Sequence, residues 1–271
     1  MRFFRFALPG NEKMSRERRR IMYYSIYFSP TGGTKKVADI LAKNLDGEYL
    51  PIDLCNDIEA LTLRADDLCL ISVPSYGGRV PTTNLERLKK INGNGAKAIL
   101  NCVYGNRHWD DTLTELQDVL EALGFVCVSA LATVAEHSMF PGFAVGRPDA
   151  ADEAQLKDFA HKIQEKLRHN VFEKLELAGS HGTYKEFPGT PVKPTGDDQC
   201  ISCGLCAQNC PANAIDRHNP RVTDQSKCIT CMRCVRLCPV QARQLDATFV
   251  SAMVEKLGSA LGGHKENHLF L

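Results

Sequence analysis

Eight cysteines between residues 200 and 238 constrain this chain more than any other feature in it. They form two runs, Cys200-x2-Cys203-x2-Cys206-x3-Cys210-Pro211 and Cys228-x2-Cys231-x2-Cys234-x3-Cys238-Pro239. Three thiolates at i, i+3 and i+6 let one tight loop wrap three irons of a cubane, and the fourth ligand then comes from elsewhere. Zinc hooks pair two cysteines and often add histidine; here three cysteines share each hook and a proline follows each fourth one. A disulfide framework suits a small secreted domain, and the first residues are too short and interrupted an apolar run for a signal peptide. The pattern therefore points to iron–sulfur chemistry in a reducing setting, so a cytoplasmic location in an anaerobic or low-oxygen cell is expected.

The cysteine stretch is an internal repeat. Cys200, Ile201, Cys203, Cys206, Cys210 and Pro211 recur 28 positions later as Cys228, Ile229, Cys231, Cys234, Cys238 and Pro239. Neither half has enough apolar residues for its own core, so bound clusters must supply much of the stability. Four more cysteines, Cys55, Cys69, Cys102 and Cys127, lie in apolar surroundings and read as core residues.

Upstream, the pattern is different. Ile21 to Phe28 is β-branched and aromatic, and runs into Ser29-Pro30-Thr31-Gly32-Gly33-Thr34. Val37, Ile40, Leu41 and Leu45 then recur at helical spacing. A strand, a short Gly/Thr loop and a helix N-terminus form a phosphate cradle of amides and hydroxyls. No Gly-Lys-Ser/Thr follows, so it is not a Walker loop, and G-x-G-x-x-G is absent. Further strands are expected at 48–54, 67–73, 96–104 and 125–134. Helices are expected at 57–63, 82–91, 111–123 and 152–172. Such alternation implies a parallel sheet covered by helices on both faces. Right-handed crossovers favour the strand order 2-1-3-4-5, with a ligand outside the carboxyl ends of the strands.

The loop 29–34 resembles the phosphate loop of flavodoxins, with Ser29, Thr31, Gly32 and Thr34 on the pattern and Gly33 beside them. Together the two parts resemble fused flavodoxin/bacterial-type ferredoxin proteins, a ferrodoxin-type iron–sulfur flavoprotein family. That resemblance implies a flavodoxin-like doubly wound parallel five-stranded sheet plus a small α+β two-cluster ferredoxin-like domain. It implies FMN in the first part and two [4Fe–4S] clusters in the second. One cluster takes Cys200, Cys203, Cys206 and Cys238; the other takes Cys228, Cys231, Cys234 and Cys210. The flavin loops are then Ser75-Tyr76-Gly77-Gly78 and Tyr104-Gly105-Asn106, with Tyr76 or Trp109 stacked on the ring. Glycines there let backbone amides approach its polar edge.

The loop 135–150 is expected to cover the flavin or dock the cluster part, and His137 in it is a candidate proton relay. Against these readings stand plain ones: a packed Trp109, a loop-capping His137, and a simple strand–turn–helix corner at 29–34. The expected divisions are a flexible basic tail at 1–20 (or an upstream start, with Met14 or Met22 as the natural one), the flavodoxin-like part at 21–178 and a linker at 179–195. The cluster part spans 196–247, and a helix and loose tail close the chain at 248–271. The linker, rich in Pro, Gly and Thr, is expected to be extended and semi-rigid.

Charge excludes little. The chain is 44% apolar and 24% charged with a net +1, which gives no general attraction to nucleic acid. Residues 21–146 hold ten Lys/Arg against fifteen Asp/Glu, and residues 196–247 hold six against five. Arg233 and Arg236, between the cysteines, serve to offset anionic clusters or to face a negative partner. No apolar run reaches the length of a membrane span. Three functional classes follow. The first is an electron carrier serving a ferredoxin or flavoprotein oxidoreductase as redox partner. The second is a flavin enzyme acting on a small substrate, and the third is a redox sensor. No acid/base pair or nicotinamide fingerprint supports the second, and no output domain supports the third, so the carrier leads.

Overall fold

The structure, a computed structural model, describes residues 22–140 and 142–271. The tail expected at 1–20 lies outside them. The first half alternates strands and helices: β1 (Tyr23–Tyr27), α1 (Gly33–Lys43), β2 (Tyr49–Asp53), β3 (Leu61–Thr62), β4 (Leu68–Pro74), α2 (Thr82–Leu88), β5 (Ile91–Asn92), β6 (Lys97–Tyr104), α3 (Thr112–Ala122), β7 (Val126–Val134) and α4 (Ala150–His169). The second half is made of short pieces: β8 (Thr195–Gly196), α5 (Leu205–Gln208), α6 (Arg233–Leu237) and β9 (Arg243–Gln244). A longer helix, α7 (Ala247–Leu261), and a last strand, β10 (His268–Phe270), close the chain.

The main sheet runs β10-β7-β6-β4-β1-β2. Its pairs are parallel except β10 on β7, where Leu269 faces Leu131 in antiparallel register. β4 and β6 are buried along nearly their whole length, as strands covered on both faces must be. Polar residues inside this sheet satisfy one another: Asn101 donates to Ser72 Oγ at 3.0 Å and accepts from Thr133 Oγ1 at 2.9 Å. Two apolar layers result. One face packs Ile71, Leu100 and Val73 against Leu113, Leu116 and Leu120 of α3. The other packs Leu70, Ile99 and Leu131 against Val37 and Leu41 of α1 and Leu156 and Ile163 of α4.

Three expectations need correction. The sheet has six strands rather than five, because residues 268–270 pair with β7 instead of forming a loose tail. Residues 57–63 form no helix. Leu61 and Leu63 point inward on either side of exposed Thr62, the two-residue period of a strand, and β3 pairs with β5. The helix expected to reach Ile91 stops at Leu88, since Ile91 belongs to β5.

The linker and the residues leading into it are tied down. Leu175 and Leu177 join the core below α3. Gln117 donates to the Leu175 carbonyl and Thr114 to that of Ala178. Asp118 accepts from Gly182 N at 3.0 Å, from His181 and from the Tyr184 hydroxyl. Lys185 N reaches Asp111 at 2.6 Å, and Arg79 donates back to the Lys185 carbonyl at 2.8 Å.

Candidate functional site

In the second half the repeat is written in the backbone. Ser202 and Thr230, Gly204 and Met232, and Asn213 and Gln241 all have positive φ, in pairs 28 residues apart. Ala214 N donates to Cys210 Sγ at 3.3 Å, and Ala242 N to Cys238 Sγ at 3.2 Å. Each loop thus winds the same way and turns amides onto its fourth cysteine. Two small cavities lie between the loops. Cys200, Cys203, Cys206 and Cys238 line one; Cys210, Cys228, Cys231 and Cys234 line the other. The fourth cysteine of each run has crossed to the opposite cavity. No three His, Cys, Asp or Glu side chains among the described residues converge as they would on a single ion. The sulfurs ring a space instead, which is the arrangement a multi-iron cluster needs.

A far larger cavity, about 320 Å³, opens at the carboxyl ends of the parallel strands. Thr31, Gly33 and Thr34 form its floor at the start of α1, where first-turn amides have no partner within the helix. Gly32, at φ +100, makes the turn that starts this helix, in a conformation that favours glycine. Lys35 pairs with Asp39, and Lys36 donates to the Pro148 carbonyl at 2.6 Å. The floor is therefore one of hydroxyls and amides, the donor set that suits a phosphate monoester.

Ser75, Tyr76, Gly77 and Gly78 line a second wall. Tyr76 and Arg79 exchange backbone hydrogen bonds at 3.0 and 3.1 Å across two glycines of positive φ, the demand of the tightest hairpin turns. Arg79 is fixed by a two-pronged pair with Glu115 and lies 4.9 Å over the Tyr184 ring. Burial pushes the Tyr76 hydroxyl well above its ordinary value. Tyr104, Gly105 and His137 complete the cavity on this side. A side chain at Gly105 would strike the His137 ring. His137 Nδ1 accepts from the amides of Met139 and Phe140, both at 3.1 Å, and burial lowers its pKa to about 4. The ring is therefore neutral at pH 7, with its proton on Nε2 and Nδ1 committed to the loop.

Four of the residues singled out above lie off this cavity. Ser29 Oγ accepts from Lys35 N at 2.8 Å, bracing the loop from behind. Gly32 shapes the turn without lining the space. Asn106 is buried and donates to the carbonyls of Leu261 and Gly263, so it clasps the end of α7. Trp109 packs among Tyr104, His108, His268 and Phe270. The C-terminal strand covers it, so the plain packing reading of Trp109 fits its position and ring stacking does not.

The remaining walls come from residues outside the sequence reading. Phe187 of the linker sits on Gly77, where any side chain would run into its ring. Phe249, Met253 and Leu257 of α7 form another side, one helical face of a segment read only as a closing helix. Ile229 lines both this cavity and the Cys210/Cys228/Cys231/Cys234 cavity. Tyr76 lies close to Cys231. The two sites therefore adjoin. An aromatic set directly before Pro188-Gly189 in a Pro/Gly-rich linker was the available signal for Phe187.

Residues 195–239 match a family model described as a 4Fe-4S dicluster domain. No match is found among curated proteins. Among solved structures, the flavodoxin of Streptococcus pneumonia TIGR4 is 20% identical, covering 55% of this chain and 99% of its own, with a TM-score of 0.40. Oxidised flavodoxin 1 of Bacillus cereus is 17% identical over 53% of this chain and 97% of its own, at 0.40. The Fusobacterium nucleatum flavodoxin bound to flavin mononucleotide is 16% identical over 54% and 98%, at 0.39. The strand order and the Gly/Thr loop of this chain, rather than these likenesses, define its first half. The chain joins an α/β unit of flavodoxin-like strand order to a segment that matches a 4Fe–4S dicluster domain. No helix among the described residues is long and apolar enough to cross a membrane.

Proposed function

We propose that this chain is an iron–sulfur flavoprotein that relays single electrons between two [4Fe–4S] clusters, FMN and a partner redox protein. The observation that carries this reading is the pair of crossed cysteine cavities, one of which shares Ile229 with the large cavity. When bound, the clusters supply one-electron exchange, and FMN exchange of one or two electrons.

This chain's own residues do the rest. Thr31, Gly33 and Thr34 would hold the phosphate with hydroxyls and amides, aided by the positive end of α1. Tyr76, Gly78 and Gly105 would border the isoalloxazine, and Phe187 and the apolar face of α7 would exclude water from it. Cys210, Cys228, Cys231 and Cys234, whose cavity shares Ile229 with the large one, would hold one cluster; Cys200, Cys203, Cys206 and Cys238 would hold the other. Exposed Ile201, Leu205 and Val240 surround this last cavity, the natural approach for a ferredoxin or flavoprotein oxidoreductase. A second reading, reduction of a small apolar substrate, is favoured by one feature only: the Phe249, Met253 and Leu257 wall.

The test is anaerobic. Purified protein should carry about eight iron atoms, as much sulfide and one FMN per chain. Mixed with reduced ferredoxin in a stopped-flow cell, it should bleach flavin absorbance with no small substrate present. Clusters that reduce while flavin never does would sink the relay. Flavin that reoxidises only when a small molecule is added would favour the second reading.

A further inference from the structure

The 28-residue repeat extends past the last cysteine of each half, and there its two copies place chemically different side chains. Ala214 and Ala242 correspond, but the next residue is Ile215 in the first copy and Arg243 in the second. Both side chains are buried, Ile215 at 6% exposure and Arg243 at 2%. Each lines a cysteine cavity: Ile215 the one ringed by Cys210, Cys228, Cys231 and Cys234, and Arg243 the one ringed by Cys200, Cys203, Cys206 and Cys238. At equivalent places in the two halves, an apolar contact has been replaced by a permanent positive charge.

That charge has no protein counter-ion. Arg243 donates to the Pro220 carbonyl, to the Pro194 carbonyl at 2.8 Å and to Thr223 Oγ1 at 2.5 Å, all neutral acceptors. Its Nε has no hydrogen-bond partner. No carboxylate among the described residues forms an ion pair with it, whereas the buried Arg147 pairs with Asp152. A guanidinium cannot escape burial by losing its proton, and a buried charge left unpaired is strongly unfavourable. What lies against it is sulfur. Cys206 Sγ leans on the same Pro220 carbonyl, at 3.8 Å. Cys206 and Cys234 are both within reach of the Arg243 charge, and they belong to different cysteine sets. Four thiolates make an iron–sulfur cluster a net anion, and net charge is one of the quantities that set its potential.

We infer that Arg243 is the buried counter-charge shared by the two clusters, favouring the reduced form of each and raising both reduction potentials. The inference rests on the two-cluster reading above. One electron, delivered by a low-potential donor such as reduced ferredoxin, adds one negative charge to a cluster. No bond breaks, and Arg243 keeps its proton throughout. It is a positioning and tuning residue, since it holds no iron.

The test compares wild-type protein with Arg243→Met and Arg243→Lys, purified anaerobically, with iron and sulfide counted before a mediated redox titration followed by EPR. In Arg243→Met, the ratio of reduced to oxidised cluster at a fixed solution potential should fall at least about tenfold, or about 59 mV for one electron. Arg243→Lys, which keeps the charge, should stay within about threefold of wild type on the same scale. Loaded Arg243→Met that titrates with the wild type overturns the inference and leaves the two-cluster reading intact. Wild-type protein without cluster iron overturns both. If Arg243→Met takes up no iron while Arg243→Lys loads fully, the counter-charge is required for assembly and the inference stands. Failure of both variants to load makes Arg243 a brace for Pro194 and Pro220, and the inference falls.

Discussion

His137 is a histidine whose structure decides its protonation. Two amides donate to Nδ1, and burial holds its pKa at about 4. An exposed histidine in the unfolded chain titrates near about 6.5. Between those values the unfolded chain binds a proton that the folded chain does not, so stability rises with pH across that window. The slope is at most about 1.4 kcal/mol per pH unit. Urea unfolding of His137→Ala between pH 7 and pH 5 should lose about this much slope. An unchanged slope would mean the imidazole is protonated in place. The phosphate loop separates in the same way into contact and support. Thr31→Val and Thr34→Val should each weaken FMN about 2- to 10-fold in a flavin titration, the worth of one hydrogen bond. Ser29→Ala, behind the cavity, should cost about 1 kcal/mol of stability and shift FMN affinity less than either threonine change. If Ser29→Ala proves the worst of the three, the hydroxyl turns to the ligand and the present placement is wrong.

The elements differ in how far their own residues announce them. α1, α3 and α4 carry apolar stripes at helical spacing, and β4 and β6 carry near-continuous apolar runs, so their places were legible. The eight cysteines were legible for a different reason: spacing alone dictates the loop. β10 was not, because His268-Leu269-Phe270 has too few residues to show a period, and its partner lies well over a hundred residues away. Nor was the strand at 61–62, whose pairing with β5 overrides local helix propensity. What fixes β10 is a buried polar cluster on α4 and its approach. Asp152 accepts from Arg147 at 2.8 Å and from Asn267 at 2.8 Å, and Arg147 donates to the Lys265 carbonyl at 2.6 Å. Asn267 in turn accepts from Val134 N at 2.8 Å. Burial alone would raise the Asp152 pKa, but Arg147, the Asp149 amide and Asn267 outweigh it and hold it at about 2. The stability it contributes is present above about pH 4 and is lost as pH falls through about 2. Asp152→Ala leaves Arg147 buried and uncompensated and should cost about 3–5 kcal/mol at neutral pH. Hydrogen exchange should show the amides of β10 released first. Protection at Leu269 equal to wild type would mean that the strand holds by pairing alone.

At the scale of the molecule, the two units are docked rather than merely tethered. The linker, expected to be a semi-rigid spacer, is a strap laid along α3 through Asp111, Thr114 and Asp118, and it ends with Phe187 seated on Gly77. Beyond it Lys193 reaches Thr230 Oγ1 at 3.2 Å, so the strap also grips the dicluster unit. Arg87 closes the contact from α2, donating to the Leu54 carbonyl of the α/β unit and, at 2.6 Å, to the Pro211 carbonyl beside the last cysteine of the first run. The bond to Pro211 exists only while the units are docked, because Arg87 and Pro211 belong to different units. Hydrogen bonds to a charged group contribute about 1.5–3 kcal/mol each. Arg87→Met should therefore raise the open population about tenfold or more. A protease that cuts on the amino side of lysine reports this directly, since the Lys193–Pro194 bond resists trypsin. Cleavage before Lys193 needs the docked strap to lift, and when opening is fast relative to cutting the rate follows the open population. Cleavage there should speed up about tenfold or more in Arg87→Met, with iron content unchanged. Cleavage before Lys174, ahead of the strap, should change far less. Equal rates before Lys193 in both proteins would show that docking is carried by Phe187 and the α7 wall, and that Arg87 only decorates the seam.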